Sequence, residues 1–251
     1  MRAEAALGLA AGNLADWHAT SVAAFGCRSL RWPGLWATDG DAPPIFLSAI
    51  VLPGGPPAAE QVERLRAVVA GRPAERGLAI VDYRNDLDLR RLGLQRQSPK
   101  PCFFRTAGEH HAPPMPPELE VLEVRSAALL AEFEQVSAEG FQAAPLRPGG
   151  WHPPAVLEDP RFRVWLGRVD GRPVGAAMAY VGDEVVGVYG VAVVPSARRR
   201  GYGAALTWRA TRVAPDLPAA LQPSAMAVGV YRRLGYEPIG QFTPWHRRPA
   251  G

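Results

Sequence analysis

The stretch SARRRGYGAAL, residues 196–206, places two glycines directly after three consecutive arginines. It follows the apolar run VVGVYGVAVVP at 185–195, which is typical of a strand. A solvated basic turn, a nucleic-acid patch and a cradle for a bound phosphate would each produce such a stretch. Backbone N–H groups at a helix start have no intrahelical partner and carry the positive end of the helix dipole. Glycines between a strand and a helix therefore favour the phosphate interpretation.

The composition limits the other two interpretations. The 251-residue chain is 47% hydrophobic and 21% charged, which is typical of a folded globular protein with one large or two small domains. Its net charge is +4, and Lys100 is its single lysine among 28 basic residues, so the arginines partly reflect composition. Nucleic-acid binding would require aromatic residues interleaved with the basic ones. Tyr202 alone stands beside the arginines, and we expect no nucleic-acid partner.

Targeting, redox and metal signals are weak throughout the sequence. No apolar run approaches the roughly 18–20 residues that cross a bilayer. Glu4, Asn13 and Asp16 interrupt the start of the chain, which fits an amphipathic helix better than a leader. Cys27 and Cys102 are far apart, so we expect reduced thiols and a cytoplasmic location. The histidines lack metal-ligand spacing, and we expect no metal and no membrane partner.

A proline-rich segment and a repeated hexamer suggest two tandem halves. Residues 106–118, TAGEHHAPPMPPE, fit an extended linker and predict domains at 1–112 and 113–251. The hexamers LRRLGL (89–94) and YRRLGY (231–236) agree at four of six positions, and each lies between a predicted helix and a predicted strand. This favours an internal duplication. The alternative is that both are ordinary helix ends with a glycine cap.

The hydrophobic pattern predicts a mixed α/β order in each half. For the second half the predicted elements are a strand at 119–124, a helix at 126–141 capped by Ser126, a hairpin at 162–181 turning at Asp170-Gly171, a strand at 184–194, a helix at 205–214, a strand at 217–222, a helix at 224–235 and a strand at 236–246. For the first half they are an N-terminal helix, strands at 32–38 and 45–52, a helix at 58–71, a strand at 77–82, a helix at 85–93 and a strand at 94–105.

The pattern Arg198-x-x-Gly201-x-Gly203 resembles the coenzyme A pyrophosphate loop of the GNAT superfamily of acetyltransferases, Arg/Gln-x-x-Gly-x-Gly/Ala. The hexamer at 231–236 is similar to that family's last helix with its Leu-Gly-aromatic turn, and the resemblance covers about half the chain. It implies a mixed, mostly antiparallel twisted sheet flanked by helices, in two tandem halves. The second half would be a complete domain, and the first a degenerate one without a coenzyme site.

The resemblance also implies the binding residues for acetyl-coenzyme A. The strand residues Val191 and Val193 would pair with the pantetheine arm, and Tyr231 would stand near the thioester sulfur as the acid. Many members carry an asparagine after the fifth strand that touches pantetheine; here the stretch is LQPSAM, so either Ser224 or no residue takes that role. The residues that would wrap the pyrophosphate are Arg198, Arg199, Arg200, Gly201, Tyr202, Gly203 and Ala204.

The implied reaction is direct transfer of an acetyl group to an amine of a small molecule or peptide, by a monomer or homodimer. Glu184, at the start of the strand leading to the thioester, is the first choice as general base, ahead of Glu123 and His152. Phe141 and Trp151 either line the acceptor pocket or pin their loop to the core. The alternative function is a non-catalytic sensor that binds coenzyme A or acyl-coenzyme A without turnover.

Overall fold

The structure is a computed structural model that describes residues 1–40, 42–73, 75–144 and 147–248. The chain divides into two units. The first contains Met1–Cys102 together with the C-terminal segment from Pro238, and the second contains Phe103–Glu237. No helix among the described residues is long and apolar enough to cross a membrane.

Five helices and twelve strands are assigned along the described chain. In chain order they are α1 (Ala3–Ala23), β1 (Arg28–Trp32), β2 (Leu35–Asp39), β3 (Ala49–Val51), α2 (Ala58–Ala70), β4 (Leu78–Asp82), β5 (Gln95–Arg96), β6 (Lys100–Arg105), β7 (Glu120–Glu123), α3 (Ala127–Gly140), β8 (Phe162–Val169), β9 (Arg172–Val181), β10 (Val186–Val193), α4 (Tyr202–Thr211), β11 (Ala219–Leu221), α5 (Val228–Arg233) and β12 (Glu237–Arg247). Short 3₁₀ helices lie at Arg90–Leu92, Pro154–Glu158, Pro195–Ala197 and Ala225–Ala227.

The sheet of the first unit has the order β1-β2-β3-β4-β12, with β5 beside β12. Only β3 and β4 are parallel, and α2 connects them. Helix α2 buries Gln61, Leu65 and Val69, which are four residues apart and therefore share one helix face. Leu65 and Val69 pack into a core that also contains Ile80 and Trp245.

The sheet of the second unit has the order β7-β8-β9-β10-β11-β6, and only β10 and β11 are parallel. The predicted mixed, mostly antiparallel sheet is confirmed. The hairpin turns as predicted at Asp170 and Gly171, whose φ angles of 49° and 73° are those of a type I′ turn. The Ser126 side chain caps α3, because its hydroxyl accepts from the Leu129 amide at 3.3 Å.

The two sheets repeat one pattern. In each, three antiparallel strands are followed by a helix, a parallel strand and a last antiparallel strand, β1-β2-β3-β4-β12 in one and β8-β9-β10-β11-β6 in the other. The last strand of each sheet comes from the other half of the sequence. A cut at 112/113 would therefore remove one strand from each sheet, so the predicted domains do not coincide with the units.

The predicted helix at 85–93 is wrong except for its last turn. The Asp82 carboxylate accepts the amides of Arg84 at 2.9 Å and Leu87 at 3.2 Å, which bends the chain here. Asn85 has a φ of 61°, outside the helical region. The predicted strand at 94–105 is interrupted and forms β5 and β6.

Candidate active site

Strands β10 and β11 separate soon after they begin. They are paired at Val186 with Ala219 and at Gly187 with Ala220, and β10 then continues to Val193. In the described residues no strand pairs with this edge of β10 beyond Gly187. Unpaired strand edges carry free backbone donors and acceptors that an extended ligand can use. The divergence thus opens a slot in the sheet.

A bulge in β10 lies beside this slot. The register between β10 and β9 shifts between Tyr189 and Ala192, and Gly190 has a φ of 59°. A bulge turns backbone groups away from the regular ladder. Val191 and Val193, the predicted pantetheine contacts, are both half-buried on this stretch.

Helix α4 begins at the end of the loop that follows β10. Its first intrahelical hydrogen bond runs from the Ala205 amide to the Gly201 carbonyl at 3.1 Å. The amides of Tyr202, Gly203 and Ala204 come before it and have no intrahelical acceptor. A Cβ at Gly203 would lie 3.6 Å from the Val193 side chain, an ordinary contact, so no protein atom requires glycine there. The helix start therefore presents three amides of the kind that bind phosphate.

The three arginines of the loop have different surroundings. The Arg198 guanidinium donates to the carbonyls of Val193 at 3.2 Å and Gly140 at 2.7 Å, so it fixes the loop to β10 and α3. Arg199 is exposed with a φ of 63°, and its side chain has no ion pair or hydrogen bond among the described residues. Arg200 contacts the Tyr202 hydroxyl. Arg199 is thus the side chain of the three that is free for an anion.

The Tyr202 side chain is buried rather than directed at a ligand. Its hydroxyl donates to the Glu118 carboxylate at 2.8 Å, and this bond raises the pKa of Tyr202 above its usual value. Only the backbone amide of Tyr202 remains for coenzyme binding. Glu118 belongs to the end of the predicted linker, a contact that local sequence pattern cannot reveal because the two residues are far apart in the chain.

Tyr231 lies on α5 and is 8% exposed. Burial raises its pKa to about 12, against a smaller opposite effect of a hydrogen bond with Thr207. Thr207 in turn donates to the Gly203 carbonyl at 2.7 Å, so the phenol is connected to the first turn of α4. Tyr231 is therefore a neutral hydrogen-bond donor at ordinary pH.

Glu184 lies before the start of the slot and not at the bulge. It is exposed and comes before β10, six residues before Gly190. An extended strand rises about 3.3 Å per residue, which puts the two roughly 20 Å apart. A carboxylate at that distance would reach a group at the bulge only through water, and Glu184 as the base stays a prediction.

The two weaker choices for the base are also engaged elsewhere. Burial favours a raised pKa for Glu123, but hydrogen bonds from Arg125 and Arg163 outweigh it and hold the pKa below its usual value. His152 is 2% exposed, and burial lowers its pKa to about 4. Neither group has the exposure and the near-neutral pKa that suit a general base.

Glu134 is a site residue that the sequence analysis missed. It is 1% exposed on α3, and its carboxylate accepts the amides of Gly149 at 2.6 Å and of Trp151 and His152 at 2.7 Å each. These three bonds position the loop after α3. Helical spacing marks Glu134 as an inward position, but only the tertiary structure shows what it binds.

The remaining predicted residues lie in loops or at the end of a helix. Ser224 is exposed and follows β11, where its carbonyl accepts the Ala227 amide. Phe141, at the end of α3, is 53% exposed and so does not pin its loop. Trp151 is half-buried and held through its amide by Glu134. No group of three or more His, Cys, Asp or Glu side chains in the described residues could hold a metal ion.

Comparison with known proteins agrees with this geometry. Residues 126–236 match the model of the Acetyltransferase (GNAT) family. The chain contains a GNAT acetyltransferase domain. The matched range runs from the Ser126 cap to Tyr236 and includes the slot, the arginine-glycine loop and Tyr231.

Solved structures extend the likeness to the whole chain. A GCN5-related N-acetyltransferase from Kribbella flavida is 26% identical with a TM-score of 0.69, and the match covers 98% of both chains. A GCN5-related N-acetyltransferase from Sphaerobacter thermophilus is 15% identical with a TM-score of 0.61, covering 87% of this chain and 78% of that one; it shares the fold. A search of curated proteins gave no significant match.

Proposed function

We propose that the GNAT domain transfers an acetyl group directly from acetyl-coenzyme A to an amine of a small molecule or peptide. The observation that carries the proposal is the slot between β10 and β11, which leads to the three unpartnered amides at the start of α4. A backbone edge for an extended arm and a helix start for a pyrophosphate thus lie on one continuous path.

The residues present fit this cosubstrate, which would supply the activated acetyl thioester. The edge of β10 around Val191 and Val193 would hold the pantetheine arm. The amides of 202–204 and the Arg199 guanidinium would hold the pyrophosphate. Arg198, whose side chain already binds two carbonyls, would keep the loop in shape.

The same edge of β10 supplies the electrostatic part of the chemistry. Backbone N–H groups near the bulge are fixed before the substrate arrives, which is what stabilises developing negative charge well. The Tyr231 hydroxyl stays neutral, and its single proton, bonded to Thr207 in this structure, would turn to the departing sulfur. One donor would act on the thioester oxygen and the other on its sulfur.

Deprotonation of the acceptor amine is the step for which the predicted residues provide no well-placed general base. Glu184 is too far from the bulge for direct contact, Glu123 is paired with arginines, and His152 is buried. We propose that the ammonium loses its proton to solvent water before attack. The rate with a lysine-like amine should then rise with pH towards the amine's own pKa of about 10.

Two measurements on the full-length chain test the proposal. Calorimetry should show one acetyl-coenzyme A bound per chain, and an amine panel should give acceptor-dependent release of coenzyme A thiol. Binding without thiol release for any amine would favour the sensor instead. Absence of binding would reject both. The cytoplasmic location and the monomeric or homodimeric state stay predictions.

A further inference from the structure

The C-terminal end of α4 forms one wall of an open cleft on the second unit. This cleft, called here the α4-end cleft, is lined by Glu109, His110, His111, Trp208 and Arg212. Arg212 is the residue at which α4 ends, ten residues after Tyr202. At 1.5 Å per residue it lies about 15 Å along the helix from the amides proposed for the pyrophosphate. The cleft is therefore separate from the coenzyme site, and its role does not depend on acyl transfer.

A buried arginine without a counter-ion lies behind one residue of this wall. Arg105, at the end of β6, is 3% exposed, and neither its Nε nor its Nη2 has a hydrogen-bond acceptor within the described parts of the chain. Its guanidinium carbon is 4.9 Å from the centroid of the Trp208 ring. An arginine stays protonated even when buried, and a cation–π contact offsets only a small part of the loss of hydration.

A second arginine contacts the same indole ring. The guanidinium carbon of Arg212 is 5.9 Å from the Trp208 centroid, and its Nη1 donates to the Gly108 carbonyl at 3.4 Å. Neither Arg105 nor Arg212 forms an ion pair among the residues that the structure describes. Burial lowers the pKa of Arg105, and the charge of Arg212 lowers it further, against an opposite effect of Tyr236.

The residues that line the cleft decide whether a ligand that neutralises these arginine charges can bind there. Glu109 is the one carboxylate among the described residues that line the cleft, and Arg212 is the one arginine among them. His111 is exposed and adds an imidazole with an N–H donor. The fork of N–H groups on a guanidinium matches the oxygens of a phosphate. The charges of Arg212 and Glu109 balance within the lining, so the unpaired charge of Arg105 behind Trp208 and the imidazole donors favour a compact anion.

We propose that the α4-end cleft binds a phosphate-class oxyanion, which Arg212 contacts directly and which the uncompensated charge of Arg105 attracts. Inorganic phosphate and a phosphate monoester present the same group, and either one satisfies the requirement. Glu109 opposes the anion and limits its affinity. Trp208 contacts both arginines, so its fluorescence should change when an anion occupies the cleft.

The test is a titration of inorganic phosphate into the full-length protein, with and without saturating acetyl-coenzyme A, at an ionic strength held constant with KCl. The readout is the fluorescence difference between the wild type and Trp208→Phe. We expect a saturable change that acetyl-coenzyme A does not remove. Arg212→Gln should weaken it about tenfold or more, the loss of one charge-assisted hydrogen bond. A parallel titration with ribose 5-phosphate distinguishes a monoester from free phosphate.

Control variants distinguish phosphate binding in this cleft from a nonspecific effect of charge. Arg209→Gln removes an exposed arginine of the same helix that faces Trp165, and it should leave phosphate affinity unchanged. Glu109→Gln should tighten phosphate binding. No saturable change, or wild-type affinity in Arg212→Gln, would overturn the proposal. So would a Glu109→Gln protein that is less stable and binds phosphate no better, because Glu109 would then be the internal counter-ion.

Discussion

The parallel strand pair of the first unit is closed, whereas that of the second unit is open. Strands β3 and β4 stay bonded to their ends, where the Tyr83 amide donates to the Val51 carbonyl at 3.0 Å. Strands β10 and β11 separate after Gly187, and β10 continues through a bulge. The same strand order thus gives a continuous sheet in one unit and a slot in the other.

The loops that follow β3 and β10 also differ in their ability to bind a phosphate. The loop before α2 has no arginine, and Pro56 and Pro57 lack the N–H groups that a phosphate would bind. The Arg84 guanidinium donates to the carbonyls of Pro56 at 2.5 Å and Gly54 at 3.4 Å, which holds this loop against its own unit. The first unit therefore lacks both features on which the proposed coenzyme site of the second unit rests.

The repeated hexamers are nevertheless alike in backbone geometry. In each, the amide of the sixth residue donates to the carbonyl of the first, at 3.4 Å in 89–94 and 3.0 Å in 231–236. Gly93 and Gly235 have left-handed φ angles of 77° and 84°. Together with the shared strand order, these bonds support the duplication, which stays a prediction.

The largest predicted effect is a loss of stability at low pH, and it should involve one buried histidine in each unit. Burial lowers the pKa of His18 in the first unit and of His152 in the second to about 4, from 6.5. In the unfolded chain these histidines have a pKa of about 6.5, so it binds protons at a higher pH than the folded chain does. Their contribution to the unfolding free energy should therefore be fully present above about pH 6.5 and be lost as the pH falls towards 4. One pKa unit corresponds to 1.36 kcal/mol, which gives at most about 3 kcal/mol for each histidine.

Urea unfolding at several pH values measures this loss. His18→Gln and His152→Gln should each flatten the pH dependence between 6.5 and 4, and the exposed His111→Gln should not. If both variants keep the wild-type slope, the histidines do not control the acid response.

The next effect concerns the hydroxyl that the second unit has and the first lacks, since Leu89 occupies the position of Tyr231. Tyr231→Phe should lower kcat about 100-fold, the low end for loss of a general acid, while acetyl-coenzyme A affinity stays unchanged. Tyr236→Phe is the control, because its hydroxyl lies 2.6 Å from Thr211 Oγ1 and should affect stability only. Wild-type turnover in Tyr231→Phe would make this tyrosine structural.

A smaller effect should distinguish the starts of α4 and α2. Gly203→Val should weaken acetyl-coenzyme A binding tenfold or more, because one blocked charge-assisted hydrogen bond is worth about 1.5–3 kcal/mol. Ala59→Val changes the second residue of α2 and should leave binding unchanged. Calorimetry on both variants decides, and equal affinity in Gly203→Val would refute the helix-start site.

The smallest effect compares the two hexamer glycines. Alanine at either left-handed position should cost about 1–2 kcal/mol of unfolding free energy. Gly235→Ala should cost more than Gly93→Ala, because its Cβ would lie 2.6 Å from His110 Nδ1 while Gly93 has open space. Urea unfolding of the pair measures the difference, and the reverse order would contradict the structure at 231–236.

Local sequence signals correctly predicted those features that depend only on neighbouring residues. The Asp170-Gly171 turn and the Ser126 cap were predictable because each is decided within four residues of sequence. The helix at 85–93 was not, because the Asp82 carboxylate binds the amides that would have continued it. Glu184 as the base stays a prediction, because strand order gives the direction of β10 but not which part of it faces the reacting group.

By itself the sequence determined the resemblance to GNAT acetyltransferases, the arginine-glycine loop and the order of helices and strands in the second half, since these depend on spacing along the chain. The tertiary structure decided which arginine is free, which strand pair is open and which half supplies each sheet's last strand. Those outcomes depend on residues far apart in sequence, such as Glu118 with Tyr202 and Glu134 with Trp151. Contacts of this kind form only when packing brings the residues together, so no local pattern encodes them.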